Sequence, residues 1–444
     1  MDAILLARLQ FALTVGFHFL FPPTTLALSL VIVVLETRRL RKIERDSVLH
    51  LELSRFLVRL LALVFVLGTA TGIVMEFSFG NNWAEYSRLV GDIFGAPLAA
   101  EGIFAFFLES VFLGILVFAR QKVSPRAYWW SAVAVCAGAH LSGLWIIIAN
   151  SWMQTPDGFA MVAGRAVLID FWRAAFNHST LIRFLHTVLA SWITGALLLA
   201  AIAAFWLLKG RFRGHGLALM RISLTLFAFA SLLQLGSGHA HSLQVARQQP
   251  VKMAAFEALW DTRPQAPVAL WAIPDAKNER NRFFVGIPGL LSFLIHGRTG
   301  TPVKGLKEFP KAERPPLALT FFSYHVMFLL GFLFIAFSWS GFFLLIKRRI
   351  ENARWYLTAL LFGAPLGYLA CETGWIAAEV GRQPWAVYGI LRTTQAASTV
   401  VSAGEVLFSL LLFTCLYALL LVLFLKILFK IIRLGPTAVE ATGY

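Results

Sequence analysis

The chain has 444 residues, of which 58% are hydrophobic and only 14% charged. A water-soluble globular domain carries about 25% charged residues, so this composition excludes one, and the apolar residues come in blocks long enough to cross a bilayer. The net charge of +16 does not point to nucleic acid, because the basic residues sit in short loops between apolar runs, where the positive-inside rule accounts for them. Cys136, Cys371 and Cys415 are too few and too scattered for a disulfide framework or a metal cluster, and read as small core residues.

Run length and periodicity predict an all-α polytopic membrane protein with about nine transmembrane helices, near 10–35, 56–78, 96–119, 128–149, 180–207, 217–237, 318–346, 355–378 and 400–428. The first run is long and lacks a small-residue cleavage pattern, so it reads as a retained helix and not as a signal peptide. Within it, His18 precedes Pro22 by four residues. The proline leaves a carbonyl unpaired and predicts a kink. A histidine in a span either bonds a neighbouring helix or carries function. Basic clusters follow at 37–42, at Arg120, Lys122 and Arg126, at Lys209, Arg211, Arg213 and His215, at 347–349, and at Lys426, Lys430 and Arg433. They alternate with less basic loops, which predicts the N-terminus outside and the C-terminus in the cytoplasm.

Helix three carries Glu101 and Glu109, two turns or roughly 12 Å apart along the axis. Two carboxylates stepping into hydrocarbon suit a proton relay, or two separately satisfied structural acids. Ser142, Trp145 and Asn150 on helix four extend such a polar path. His186 on helix five has Arg183 one turn earlier. The pair suits a heme ligand beside a propionate partner, or an interfacial histidine beside a snorkelling arginine. His178, nearer the boundary, reads as interfacial.

The segment 238–317 divides the chain into 1–237, 238–317 and 318–444. Pro250, Pro264, Pro267 and Pro274 exclude long regular helices there, and a short helix is expected around 251–260. Trp260, Trp271, Phe283 and Phe284 predict packing, not disorder. Lys252 and Glu257 suit a quinol-oxidising site in which the carboxylate takes a proton, or a solvated charge pair. His239 and His241 form a weak metal pair. On helix seven, Met327 follows His325 by two residues. Alone it reads as core filler, but with His186 at like depth it completes a candidate His/Met axial pair for heme. Finally, Glu372, Trp375, Glu379 and Arg382 recur at helical spacing on one stripe at the edge of the membrane. His18, His186, Met327, Glu379, Arg382 and Glu101 all fall toward the outer face. Cofactors there would draw protons for oxygen reduction from the inside, along buried polar groups.

Several stretches resemble subunit I of the cytochrome bd-type quinol oxidases over nearly the whole chain. They are Ala7–Leu13, His18–Phe21, Glu101–Ser110, Ala149–Gln154, His186–Val188, Lys252–Glu257, Gly305–Lys307 and, most specifically, Gly381–Trp385. The resemblance implies a low-spin heme b on His186 and Met327, a high-spin heme b on Glu379, and heme d, or a third heme b, on His18. It places Glu101 and Glu109 on the proton path and Trp375 and Arg382 beside the high-spin hemes. Lys252 and Glu257 would belong to the quinol loop. It also implies a second large membrane subunit, often a small single-helix subunit, and a place in the bacterial inner membrane. Two departures stand out: His325 occupies a position held by Arg in the better-known branch, and the outer loop is short. Both features resemble the cyanide-insensitive branch. The rival readings are an electron-transfer heme protein and a proton-coupled transporter without heme. The latter expects broken helices and a midplane site, which the pattern lacks.

Overall fold

The computed structural model describes residues 2–41, 47–102 and 107–436. Lys42 of the first basic cluster, and Ile103–Phe106 between the two helix-three glutamates, lie outside the described residues. Helix α1 (Ala3–His18) is capped by Asp2, whose carboxylate accepts the Ile4 N–H at 3.1 Å. It stops at His18, and Pro22 and Pro23 open α2 (Pro22–Leu40), where a missing N–H costs least. The expected kink is therefore a full break within one 38-residue apolar stretch. Then come α3 (Ser47–Asn81), α4 (Ala84–Ala100), α5 (Phe107–Phe118) and α6 (Pro125–Gln154). A small hairpin, β1 (Phe159–Val162) and β2 (Arg165–Leu168), leads through α7 (Phe171–Ala175) into α8 (Thr180–Leu208) and α9 (Arg213–Gln248). After α10 (Pro250–Phe256), the strands β3 (Val268–Asp275) and β4 (Arg280–Ile287) pair antiparallel, and α11 (Leu290–His296) follows. The chain ends with α12 (Leu317–Ile346), α13 (Arg354–Val380), the hairpin β5 (Trp385–Val387) and β6 (Leu391–Arg392), α14 (Thr393–Ala396) and α15 (Ala403–Leu434).

Among the described residues, seven stretches are long and apolar enough to cross a membrane: Ala3–Leu40, Val48–Asn81, α6, α8, α9, α12 and α15. Helices α5 and α13 occupy the positions expected for the third and eighth spans. One expected boundary moves, at helix six. In the expected span 96–119, α4 reaches Ala100, helical backbone continues through Glu101 and Gly102, and α5 is described from Phe107 to Phe118. The apolar end of amphipathic α4, which carries Glu85, Arg88 and Asp92, merges in hydropathy with the next helix. Helix six does not end at 237 but runs to Gln248. The polar residues beyond 236 end the apolar run, yet buried Ser237 points into the protein and the helix continues.

Helices α8, α9, α12 and α13 pack as a ring of four in which α8 and α12 take opposite corners. A second ring comprises α2, α3, α5 and α6, and α2 joins the two by packing on α8. Small residues permit this. A Cβ on Gly195 would collide with that of Ala27, and one on Gly367 would come within 2.9 Å of the Thr194 backbone. The basic loops are tied together at one end. Arg120 Nη2 and Arg39 Nε bind the fully buried Glu36 at 2.6 and 2.9 Å, and Arg213 binds Glu351 at 2.6 Å. There too, Arg59 donates to the Gly435 carbonyl. At the opposite end, α10 packs between α9 and α12. Of the four loop aromatics expected to pack, only Trp260 is buried. Trp271 and Phe283 stay exposed because the two-stranded β3–β4 sheet leaves one face free, and Phe284, opposite buried Ala272, is exposed as well.

Candidate functional site

Two histidines are held in the same way. His18 Nδ1 lies 3.1 Å from Thr71 Oγ1, and that hydroxyl donates its own hydrogen to the Leu67 carbonyl at 2.8 Å. A hydroxyl has one hydrogen, so Thr71 accepts from His18, Nδ1 carries the proton, and the Nε2 lone pair is left open. His186 Nδ1 lies 3.0 Å from Ser237 Oγ, which donates to the Gln234 carbonyl at 3.0 Å. The same logic leaves the Nε2 lone pair, here met by the Gln234 side-chain amide at 3.1 Å. An outer-shell acceptor on one ring nitrogen is how proteins prepare the other for a metal. Each ring also faces a glycine. A Cβ on Gly72 would come within 3.2 Å of His18 Cε1, and one on Gly238 within 3.5 Å of His186 Cε1.

His325 is different. Its Nδ1 and Nε2 each lie 2.9 Å from a carbonyl, of Phe321 and Ala269 respectively, and the neutral ring can donate to only one of them. Met327 Sδ instead packs on Gly374 of α13, where a Cβ would stand 2.7 Å away. His186 and Met327 thus come from α8 and α12, the opposite corners of the four-helix ring.

The stripe expected around Glu379 ends its helix at Val380, and Arg382 lies in the following turn. Glu379 Oε2 is bound by Arg382 Nη2 at 2.6 Å. Its Oε1 accepts from Asn150 Nδ2 at 3.1 Å and from Gln154 Nε2 at 3.3 Å. Arg183 donates both to the Asn150 carbonyl, at 3.1 Å, and to the Asn150 side-chain oxygen. Gln154 in turn accepts from Lys252 Nζ at 2.6 Å and from Gln249 Nε2 at 3.1 Å. A continuous hydrogen-bonded chain therefore runs from Lys252 in α10 to Glu379. Gly381 leaves room for it, since a Cβ there would lie 3.0 Å from Lys252 Cγ.

Lys252 and Glu257 are 3% and 4% exposed, and they have different partners. This rules out the solvated charge pair. Burial, aided by the Arg183 and Arg382 cations, holds the Lys252 ammonium well below the usual lysine value. Glu257 accepts the Ala269 N–H at 2.8 Å. Burial pushes its carboxyl up to about 7 against that hydrogen bond.

Ser142 donates to Glu101 at 2.7 Å, and Glu109 is buried on α5. Glu76 of α3 lies within electrostatic reach of Glu101 and joins these acids. Trp375 is half-buried one turn before Glu379. Trp145 is likewise half-buried, on α6. His178 approaches Asp157 at the surface, as expected for an interfacial residue. His239 is exposed, whereas the His241 ring meets that of His186 at 5.4 Å. Two residues apart on a helix they face different ways, so they do not form a metal pair. Residues that sequence reasoning left without a role are Thr71, Ser237, Gln234, Gln249, Gln154 and Glu76. Thr71 and Ser237 sit 53 and 51 residues from the histidines they hold, so no local spacing marks them.

Residues 6–436 match the family model of cytochrome bd terminal oxidase subunit I. The chain belongs to this family. Cytochrome bd ubiquinol oxidase subunit 1 of Bacillus subtilis (strain 168) is 36% identical over 440 residues, covering 96% of this chain and 93% of the relative. Cytochrome bd-II ubiquinol oxidase subunit 1 of Escherichia coli (strain K12) is 34% identical, covering 99% and 98%. That alignment runs over 508 positions, more than this chain's 444 residues, so the relative carries residues that this chain lacks. The solved bd oxidase structure from Geobacillus thermodenitrificans agrees with a TM-score of 0.89 at 28% identity, over 97% of this chain and 98% of that one. As a bd oxidase subunit I, the protein is a membrane-integral part of a respiratory quinol:oxygen oxidoreductase that works with a further subunit. The family implies heme, and the residues fit it. They offer an open lone pair on His18, a lone pair on His186 that only the Gln234 amide meets, a thioether and a carboxylate. In addition, Arg382 Nη1 is buried with no partner among the described residues, as a propionate would require.

Proposed function

We propose that quinol is oxidised at the loop end of the helix ring, beside Lys252 and Glu257, and that His186 and Met327 hold the low-spin heme b. Glu379 would hold a high-spin heme b, and His18 a heme d or a third heme b. When bound, these groups carry electrons from quinol to oxygen. The protein's own residues handle position and protons. Glu257, with a carboxyl titrating at about 7, takes a proton from the quinol hydroxyl as general base. Lys252 orients through Gln154, and Arg382 and Arg183 supply positive charge around Glu379. Trp375 packs beside the high-spin hemes. Ser142, Glu101, Glu109 and Asn150 form the polar route by which protons reach the oxygen site.

The basic loops tied together at one end mark the cytoplasmic face, with the N-terminus outside and nine spans in total. Quinol protons leave outside and oxygen's protons come from inside, so a proton motive force forms without a pump. The partners are a second large subunit, a small single-helix subunit, quinol, oxygen and the bilayer. The observation that carries this reading is the hydrogen-bonded chain Lys252–Gln154–Glu379. It joins the quinol loop to a heme ligand, a link that a heme-free transporter has no use for. Glu257→Ala tests it. Quinol-driven oxygen consumption should fall while turnover with an artificial reductant persists. Equal activity with quinol in the variant would remove Glu257 from the site.

A further inference from the structure

The β3–β4 hairpin exposes an apolar face. Trp271 pairs with Val285 and Ile273 with Phe283 across the strands, and opposite residues project to the same side of a sheet. These four side chains therefore share one face, which Ile287 continues. Each is 43–52% exposed. The other face is packed. Ala269 and Ala272 are buried with Ala258 and Phe321. A sheet with one free face normally turns polar residues outward, and a contiguous exposed apolar face marks an interaction surface.

We propose that this face is an interfacial membrane anchor seated among the lipid headgroups at the quinol-site end of the bundle. Three observations select lipid as its occupant. Trp271 meets Phe322 of α12 at 6.0 Å. Phe322 begins an exposed strip with Leu319, Val326 and Leu329 on a helix apolar enough to span the bilayer. The hairpin face thus continues the exposed apolar surface of that helix. The face bears tryptophan, which favours the headgroup level, and exposed Lys277 in the turn and Arg280 at the start of β4 suit anionic headgroups, while Arg282 is paired with Asp275. The same strand also places Ala269 on the Glu257 carboxylate. Seating the strand in the interface therefore brings the Glu257 site to the depth of a lipid-borne quinol head. That consequence rests on the proposed quinol site, whereas the anchoring itself does not.

The test uses the oxidase complex with its partner subunit in nanodiscs of phosphatidylcholine and phosphatidylglycerol. Phe283→Cys, in a Cys415→Ser background, carries a spin label, and Asn278→Cys at the turn serves as the control. Anchoring predicts that lipid-dissolved oxygen relaxes the label at 283 more than a water-soluble nickel chelate does, with the order reversed at 278. Chelate-dominated relaxation at both positions would overturn the proposal. So would a label at 283 shielded from both relaxants, which would mean that protein covers the face. A second variant, Trp271→Ser with Phe283→Ser, should raise KM for quinol presented in the bilayer several-fold while kcat and the heme spectrum hold. Loss of quinol activity in Glu257→Ala with an intact anchor, or the converse, separates this proposal from the site assignment.

Discussion

Replacing Met327 with Leu keeps the volume at Gly374 but removes the thioether. The low-spin heme spectrum should disappear while ligand binding at the high-spin site survives, and an unchanged low-spin spectrum and potential would refute the His/Met assignment. At Thr71, Val preserves shape and deletes the acceptor for His18 Nδ1–H. Outer-shell losses at metal sites typically cost about 10–100-fold in affinity or activity, so retention of the His18-bound heme should weaken, read as heme content per protein. Glu257 supplies a pH signature. A base must be ionised, so quinol oxidation should fall as pH drops through about 7, and Glu257→Ala should lose that limb. For stability the sign is opposite. A carboxyl raised above its unfolded value of about 4.3 favours the fold at low pH, and that contribution is lost as pH rises through about 7. At this scale the candidate ligands His18, His186 and Glu379 could be picked out, because an ionisable residue in an apolar run stands out, and Met327 only through its pairing with His186. Their hydroxyl partners could not. Thr71 and Ser237 are ordinary helix residues whose role exists only once two helices touch.

Helix packing sets where those residues stand. Gly195→Val would drive a branched side chain from α8 into Ala27 of α2. Overpacking of this kind costs about 1–3 kcal/mol, and it should appear as a lower melting temperature of the complex. At the basic end, Arg120→Ala leaves Glu36, 0% exposed, with Arg39 and Ser54 as its remaining partners. Breaking a buried pair costs about 3–5 kcal/mol when the other charge is stranded. With Arg39 still in place, the loss should reach at most the lower part of that range, measured by thermal unfolding. Long apolar runs revealed most helices, and prolines marked the α1–α2 break. Hydropathy failed where polarity and helicity part. α9 continues through Ser237 and His241 because the bundle interior is polar there. The β3–β4 aromatics were read as core because apolar residues in a loop usually pack inward, whereas the pairing of β3 with β4 leaves one face of the sheet free.

At the scale of the whole molecule, one four-helix ring carries His186, Met327 and Glu379, while His18 ends α1, which packs on α3 of the other ring and on α15. The outer loop then sits over the ring that holds His186 and Met327. The family could be read from motifs that span the chain, and the model of that family matches residues 6–436. The hydrogen-bonded route from Lys252 to Glu379 could not, because its three members lie far apart in sequence and meet only in the fold. The central claim is that these residues hold hemes of two kinds, one of them open to oxygen. The most direct test is a reduced-minus-oxidised absorption spectrum of the purified complex, repeated under carbon monoxide. The account predicts low-spin b-type bands that ignore carbon monoxide together with a high-spin component that shifts with it, and a red chlorin band would identify heme d at His18. Low-spin bands alone, or no heme absorption at all, would contradict it.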